Sequence, residues 1–225
     1  MKLFLFDIDG TLLTTDGAGR AALKSAGADL FAIEEDLRTI NVSGSTDTAI
    51  VQDILRHHSL DVSTANVNRY LGGYLVWLKQ HLASQSGAIL PGVISLLDVL
   101  AKDGQAIGLL TGNVRRGAQI KLTAHGIWDR FSFGAFGDDN SDRNQLGPIA
   151  KQRAEAALNT EFAAHDIVII GDTPKDIACA RAFGAVAIAV ATGRYSLANL
   201  SEHQPDHLVG DLVDTKDLLF RFGLR

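Results

Sequence analysis

Two carboxylates two residues apart, Asp7 and Asp9, follow the apolar run Leu3-Phe4-Leu5-Phe6 and precede Gly10 and Thr11. The run reads as a buried strand, so the acids emerge at its carboxyl end, where open α/β sheets place their chemistry. Side chains two apart on an extended chain point the same way, and Gly10 lets the backbone turn sharply after them. Paired acids in such a place can bind Mg²⁺ and attack phosphorus. Two further strand ends carry residues of the same kind. Leu109-Leu110 leads into Thr111-Gly112-Asn113 just before a helical pattern, a hydroxyl, a glycine and an amide well placed to hold phosphate oxygens. Ile169-Ile170-Gly171 leads into Asp172, with Asp176 four residues on. Taken singly, these segments also read as a turn or calcium-type loop, a loop closing a strand, and a helix N-cap. Their joint occurrence at strand ends is what argues for a catalytic site.

The elements that must position them alternate. Strand-like runs at Ala106-Leu110, Phe133-Phe136, Ile167-Ile170 and Val186-Val190 are separated by helical patterns over Pro91-Lys102, Val114-His125, Pro148-Leu158 and Pro174-Phe183, with a last one over Thr215-Phe222. This β-then-α order predicts an α/β fold, a doubly wound parallel sheet of Rossmann-like kind. The interval from about Leu13 to Ile89 breaks the alternation and is too long for a loop. Within it, Ile50, Val51, Ile54 and Leu55 follow a Ser45/Thr46 start signal at helical spacing. Val67, Tyr70, Leu71, Tyr74, Leu75, Leu78 and Leu82 do the same. An inserted all-helical cap over residues 14–87 is expected, with residues 1–13 and 88–225 as the core. Both cap ends join the core beside the Asp7 loop, so closure over the site is mechanically natural.

Composition narrows the class. The chain has 225 residues, 46% hydrophobic and 21% charged, with a net charge of -5 and no basic stripe, so nucleic acid is not an expected partner. The single Cys179 excludes an intrachain disulfide framework and reads as a small buried residue. Lys2 precedes only a few apolar residues before Asp7 interrupts, so the N-terminus reads as neither signal peptide nor membrane span, and the expected location is cytoplasmic.

With these strand ends in order, the sequence resembles the haloacid dehalogenase superfamily, and within it the phosphoglycolate phosphatase-like branch with a helical (C1-type) cap. The resemblance covers nearly the whole chain. It implies that Asp7 is the nucleophile, forming an aspartyl-phosphate, and that Asp9 is the general acid and base. It implies that Thr111 hydrogen-bonds the transferring phosphoryl group, next to Gly112 and Asn113. Mg²⁺ would be held by the Asp7 carboxylate, the Asp9 carbonyl and Asp172, with Asp176 supporting through water or the outer shell. The metal offsets the repulsion between an attacking carboxylate and a phosphate dianion.

The sequence departs from relatives at one catalytic position. They carry a Lys, then Pro, between the third strand and its helix; here the stretch from Asp138 to Pro148 has no Lys. Arg143 is the best substitute, because a guanidinium can hold a carboxylate and a phosphate oxygen together. Lys151 is the alternative, and a salt bridge within the acidic loop is the competing reading of Arg143.

For the substrate, the residues say less. Ser45 stands in a cap loop where some relatives carry a basic residue, which argues against a strongly anionic leaving group such as glycolate. Arg20 is the candidate to supply that charge, against the alternative of a solvated helix face. His57 and His58 read as exposed helix-end residues. The stripe Tyr70, Tyr74 and Trp77 reads as cap packing, and Thr192-Gly193-Arg194 as a loop at the site rim without an assigned role. A dehalogenase of this superfamily needs no metal and lacks the acid at Asp9. A phosphonate hydrolase needs a cap Lys, and Lys24 and Lys79 sit in no motif. The expected function is a Mg²⁺-dependent phosphatase that hydrolyses a small-metabolite phosphomonoester, phosphoglycolate-like or of broad specificity, through an aspartyl-phosphate, in a monomer or homodimer. A phosphomutase of the same fold and a non-catalytic phosphate-sensing module are the alternatives.

Overall fold

The computed structural model describes residues 1–85, 87–214 and 219. Six parallel strands form the sheet in the order β5-β4-β1-β6-β7-β8, with β1 (Leu3–Phe6) between β4 (Ala106–Leu110) and β6 (Ile167–Gly171). These inner strands are nearly all apolar because helices cover both faces of the sheet. Alternation along β1 sends Phe4 and Phe6 into one core with Leu96, Leu97, Leu100 and Leu122, and Leu3 and Leu5 into the other with Ala150, Ile169 and Cys179. Phe6 stands opposite both Leu109 and Ile170, so the segments carrying Asp7, Thr111 and Asp172 leave the sheet side by side.

The expected α/β order holds, with differences at the edges. α4 (Val93–Lys102) starts after Gly92, whose φ of 81° sets the turn into it, rather than at Pro91. α5 spans Arg115–Ala124, α7 Pro174–Ala182 and β7 Val186–Val190. α6 (Leu146–Leu158) begins two residues ahead of Pro148, which sits in the first turn where its missing N–H costs no helical bond. β5 is only Gly134–Ala135. The short α8 (Leu197–Ser201) and the edge strand β8 (His207–Val209) have too little apolar periodicity to be read from sequence. The helix expected over Thr215-Phe222 falls, Leu219 aside, outside the described residues.

Three helices fill the long insertion: α1 (Ala18–Phe31), α2 (Asp47–His57) and α3 (Thr64–Ser84). They share a core of their own around Leu23, Ile54, Leu55, Tyr70 and Leu78, which Val114 joins from the core domain. Gly27 of α1 lets Tyr70 approach, its missing Cβ lying 2.5 Å from the phenol oxygen, which donates to Leu23 O at 2.9 Å. α2 opens as its sequence suggests, with the Thr46 hydroxyl accepting from Ala49 N. The chain enters and leaves this cap through a two-stranded antiparallel ribbon, β2 (Leu13–Thr14) with β3 (Ala88–Ile89). No described helix is long and apolar enough to cross a membrane.

Candidate active site

Asp7 continues the sheet beyond β1, its N–H donating to Ile170 O at 3.0 Å. Its carboxylate is buried with those of Asp172 and Asp176, ligand oxygens of all three lying within 4.8 Å of one another. Burial pushes Asp7 up to about 6, against the pull of Arg143. Burial, then the neighbouring Asp176 and Asp7, pushes Asp172 up to about 8. Three crowded carboxylates out of water are costly unless a cation lies among them. The backbone closes tightly around Asp172: a Cβ on Gly10 or Gly193 would lie 2.5 or 1.7 Å from its Oδ2. A hard divalent ion fits this oxygen set. Asp176 has both oxygens engaged, Oδ2 by the Thr173 N–H at 3.0 Å and hydroxyl at 2.7 Å and Oδ1 by Arg143. It therefore braces the cluster from behind.

Arg143 opens a 3-10 turn, Arg143–Gln145, just ahead of α6, with Asp142 as its N-cap. One guanidinium nitrogen meets Asp7 Oδ2 at 3.2 Å and Asp176 Oδ1, while the other donates to Gly44 O at 3.1 Å. Burial acts against its charge, but Asp176 and Asp7 outweigh burial and hold it firmly protonated. Lys151 instead pairs with Glu155 at 3.6 Å on the half-exposed side of α6. Of the two cations considered, only Arg143 faces Asp7.

Thr111 is fully buried, and its hydroxyl accepts from the Asn113 side chain at 2.9 Å. A hydrogen bond from Thr111 also favours the charged form of Asp7. Asp9 turns elsewhere. Its Oδ2 accepts from Asn113 Nδ2 at 2.8 Å and from Lys121 Nζ at 2.6 Å, and Lys121 also donates to Asn113 Oδ1 at 2.6 Å. Asp7 and Asp9 line one pocket but have different partners. Lys121 escaped the sequence reading. The signal available was a lysine one turn from Ala118 and beside Leu122 on the apolar face of α5, a position where a charge needs a buried partner.

Asp47 was missed as well. At the start of α2 it accepts from Val114 N at 2.8 Å, while its own N–H donates to Gly112 O at 2.7 Å. Burial raises it to about 6, with Lys121 opposing. Thr46 and Thr48 add bonds to Ser141 O and Gly137 O, so the N-terminus of α2 is clamped onto the loops after β4 and β5. Gly112 permits this approach, its Cβ position lying 2.2 Å from Ser45 O.

A cavity of about 380 Å³ lies between cap and core and takes in Asp7, Asp9, Ser45, Gly112, Asn113 and Arg20. The Ser45 hydroxyl is already engaged, donating to Asn41 O at 2.6 Å and accepting from the Lys175 ammonium. Arg20 donates to Leu37 O at 3.1 Å and borders the cavity instead of standing as a purely solvated side chain. Three other readings need correction. Tyr70 packs the cap, but Tyr74 also lines the cavity. His58 is half-buried and pairs with Glu35 at 2.9 Å, because the loop after α1 brings that buried carboxylate to the end of α2. The Thr192-Gly193-Arg194 loop takes part in the site: Gly193 abuts Asp172, Arg194 borders the cavity, and the Thr192 hydroxyl donates to Gly10 O at 2.6 Å.

Comparison with known proteins identifies the family. The family described as Haloacid dehalogenase-like hydrolase matches residues 4–190, and the chain belongs to it. It is 28% identical over 209 residues to "Probable phosphatase IndB" of Dickeya dadantii (strain 3937), covering 92% of this chain and 88% of that protein. It is 26% identical over 201 residues to a phosphoglycolate phosphatase of Rhodospirillum rubrum, covering 85% and 80%. Among solved structures, a hydrolase from Pseudomonas syringae superposes with a TM-score of 0.78 at 21% identity, covering 98% of this chain and 99% of that one, which shows a common fold.

Proposed function

We propose that this HAD-type phosphatase, a phosphoric monoester hydrolase, cleaves a small-metabolite phosphomonoester in a Mg²⁺-dependent reaction through an aspartyl-phosphate on Asp7. The observation that carries the reading is the convergence on one buried carboxylate, Asp7, of Arg143, Thr111 and the Asp172 cluster. Asp7, Asp172 and the Asp9 carbonyl would hold the metal, with Asp176 behind them; when bound, Mg²⁺ would neutralise charge on nucleophile and phosphoryl group. An Asp7 oxygen forms the bond to phosphorus as the bond to the leaving oxygen breaks, and Asp9 delivers the proton that oxygen needs. Arg143 and Thr111 hold the transferring oxygens and aim Asp7. Asp9 then takes a proton from water as the water attacks phosphorus, releasing phosphate and restoring Asp7. The cap, which we assign to residues 14–87 hinged on the β2–β3 ribbon, excludes bulk water while this happens. Phosphate release from a panel of small esters, with Mg²⁺ and with excess chelator, tests the reading. Metal-dependent release is expected, whereas isomerisation without net release would point to a mutase.

A further inference from the structure

Several groups on the leaving-group side of the cavity are left unused by the steps above. Lys121 carries three ammonium protons, and two go to Asp9 and Asn113. The Tyr74 ring is buried, yet it lines the cavity and its hydroxyl has no hydrogen-bond partner among the described residues. The two donors meet at Gly19 of α1, where a Cβ would lie 3.5 Å from Lys121 Nζ and 3.9 Å from the Tyr74 oxygen. Burial, with Asp47 and Asp9 nearby, raises the Tyr74 phenol well above its ordinary value, so it stays a donor. Asp47 lines the same space and gives only Oδ2 to Val114, leaving Oδ1 as an acceptor.

Charge decides what these groups suit. The cavity's cations are Arg20, Lys121, Arg143 and Arg194. With Asp9 carrying the proton it delivers, Asp7, Asp47 and Asp172, together with Asp176 behind them on Arg143, match these cations one for one. A divalent metal and a phosphate dianion cancel each other, so nothing remains to neutralise a second anion on the substrate. A carboxylate there would only accept hydrogen bonds, and it would face the Asp47 carboxylate. A hydroxyl both donates and accepts, which matches two donors set beside one acceptor.

We infer that the leaving-group half of the cavity reads a neutral, hydroxyl-bearing alcohol of polyol type, with Lys121 and Tyr74 donating to its hydroxyls and Asp47 accepting from them. This rests on the phosphatase reading above and narrows it to a substrate class.

The test compares kcat/KM for glycerol 1-phosphate and phosphoglycolate with Mg²⁺, with p-nitrophenyl phosphate as a general phosphatase substrate. The wild type should favour the diol ester by about 10-fold or more, and Tyr74→Phe, which keeps the ring and does not touch Asp9, should cut that preference by about 10-fold. Lys121→Met should cut it too while slowing both esters through Asp9. A wild type that hydrolyses p-nitrophenyl phosphate but prefers phosphoglycolate, or favours neither small ester, overturns the inference alone, as does a preference unmoved by Tyr74→Phe. No release from any of the three esters overturns the phosphatase reading along with it.

Discussion

The Arg143 guanidinium lies 3.2 Å from Asp7 Oδ2 and grips Asp176 with the same nitrogen, so one cation from the loop after β5 ties together an acid just beyond β1 and one in α7. This places a positive charge where the superfamily's lysine is absent from the sequence. Arg143→Ala should lower kcat by about 10²-fold or more, since a buried charge aimed at the transferring group is lost. Removing one partner of a buried ion pair also costs about 3–5 kcal/mol, so the rates belong well below the melting temperature. Arg143→Lys should recover part of the rate and not all, because an ammonium cannot reproduce the fork. A near wild-type Arg143→Ala would remove Arg143 from the chemistry.

Lys151→Ala provides the contrasting case. The Lys151–Glu155 pair lies on the half-exposed face of α6 and is worth under about 1 kcal/mol. Activity within about 2-fold of wild type and a nearly unchanged melting temperature are expected. A large loss of turnover would transfer the missing lysine's role to it.

Gly193→Ala probes the proposed metal pocket from the side of the β7 loop. A Cβ would lie 1.7 Å from Asp172 Oδ2, an overlap that pushes the carboxylate and the Gly193 loop apart. The Mg²⁺ concentration for half-maximal activity should rise by about 10-fold or more, as for other losses of ligand support. An unchanged Mg²⁺ titration would mean that Asp172 is not a ligand in its present position.

Asp47 should leave a signature in the dependence of stability on pH. Its folded value, about 6, lies above the ordinary 3.8. Its contribution to stability is therefore fully present below about 3.8 and is lost as pH rises through about 6. Asp47→Asn keeps an acceptor for Val114 N–H and removes the buried charge. Thermal melts should show the variant gaining on wild type by roughly 5 °C at pH 8 and by little at pH 4. A difference independent of pH would contradict the assignment.

The arrangement of the candidate site's core residues was largely legible because they sit where sequence rules are strong. Continuous apolar runs fixed the inner strands, and Asp7, Thr111 and Asp172 follow directly at the ends of three neighbouring strands. Arg143 could be named from the absence of a lysine, but only its 3-10 turn shows why it faces inward. The substrate side was much less legible. Lys121, Asp47 and Tyr74 come from α5, α2 and α3, and they meet only where the cap docks on the core. Each looks ordinary in its own segment, so local pattern says nothing of the meeting. His58 shows the same limit, since its Glu35 partner lies across a loop with no periodicity.

Chemical trapping of the intermediate tests the central claim most directly. The protein is mixed with a small phosphomonoester and Mg²⁺ and quenched into borohydride, which reduces an acyl phosphate to the alcohol, and its peptides are then weighed. The account predicts homoserine at position 7 and at no other aspartate, dependent on substrate, and absent in Asp7→Asn, which should also lose activity by about 10³-fold or more. Phosphate release with no reduction at position 7, or with Asp7→Asn turning over near the wild-type rate, would contradict it.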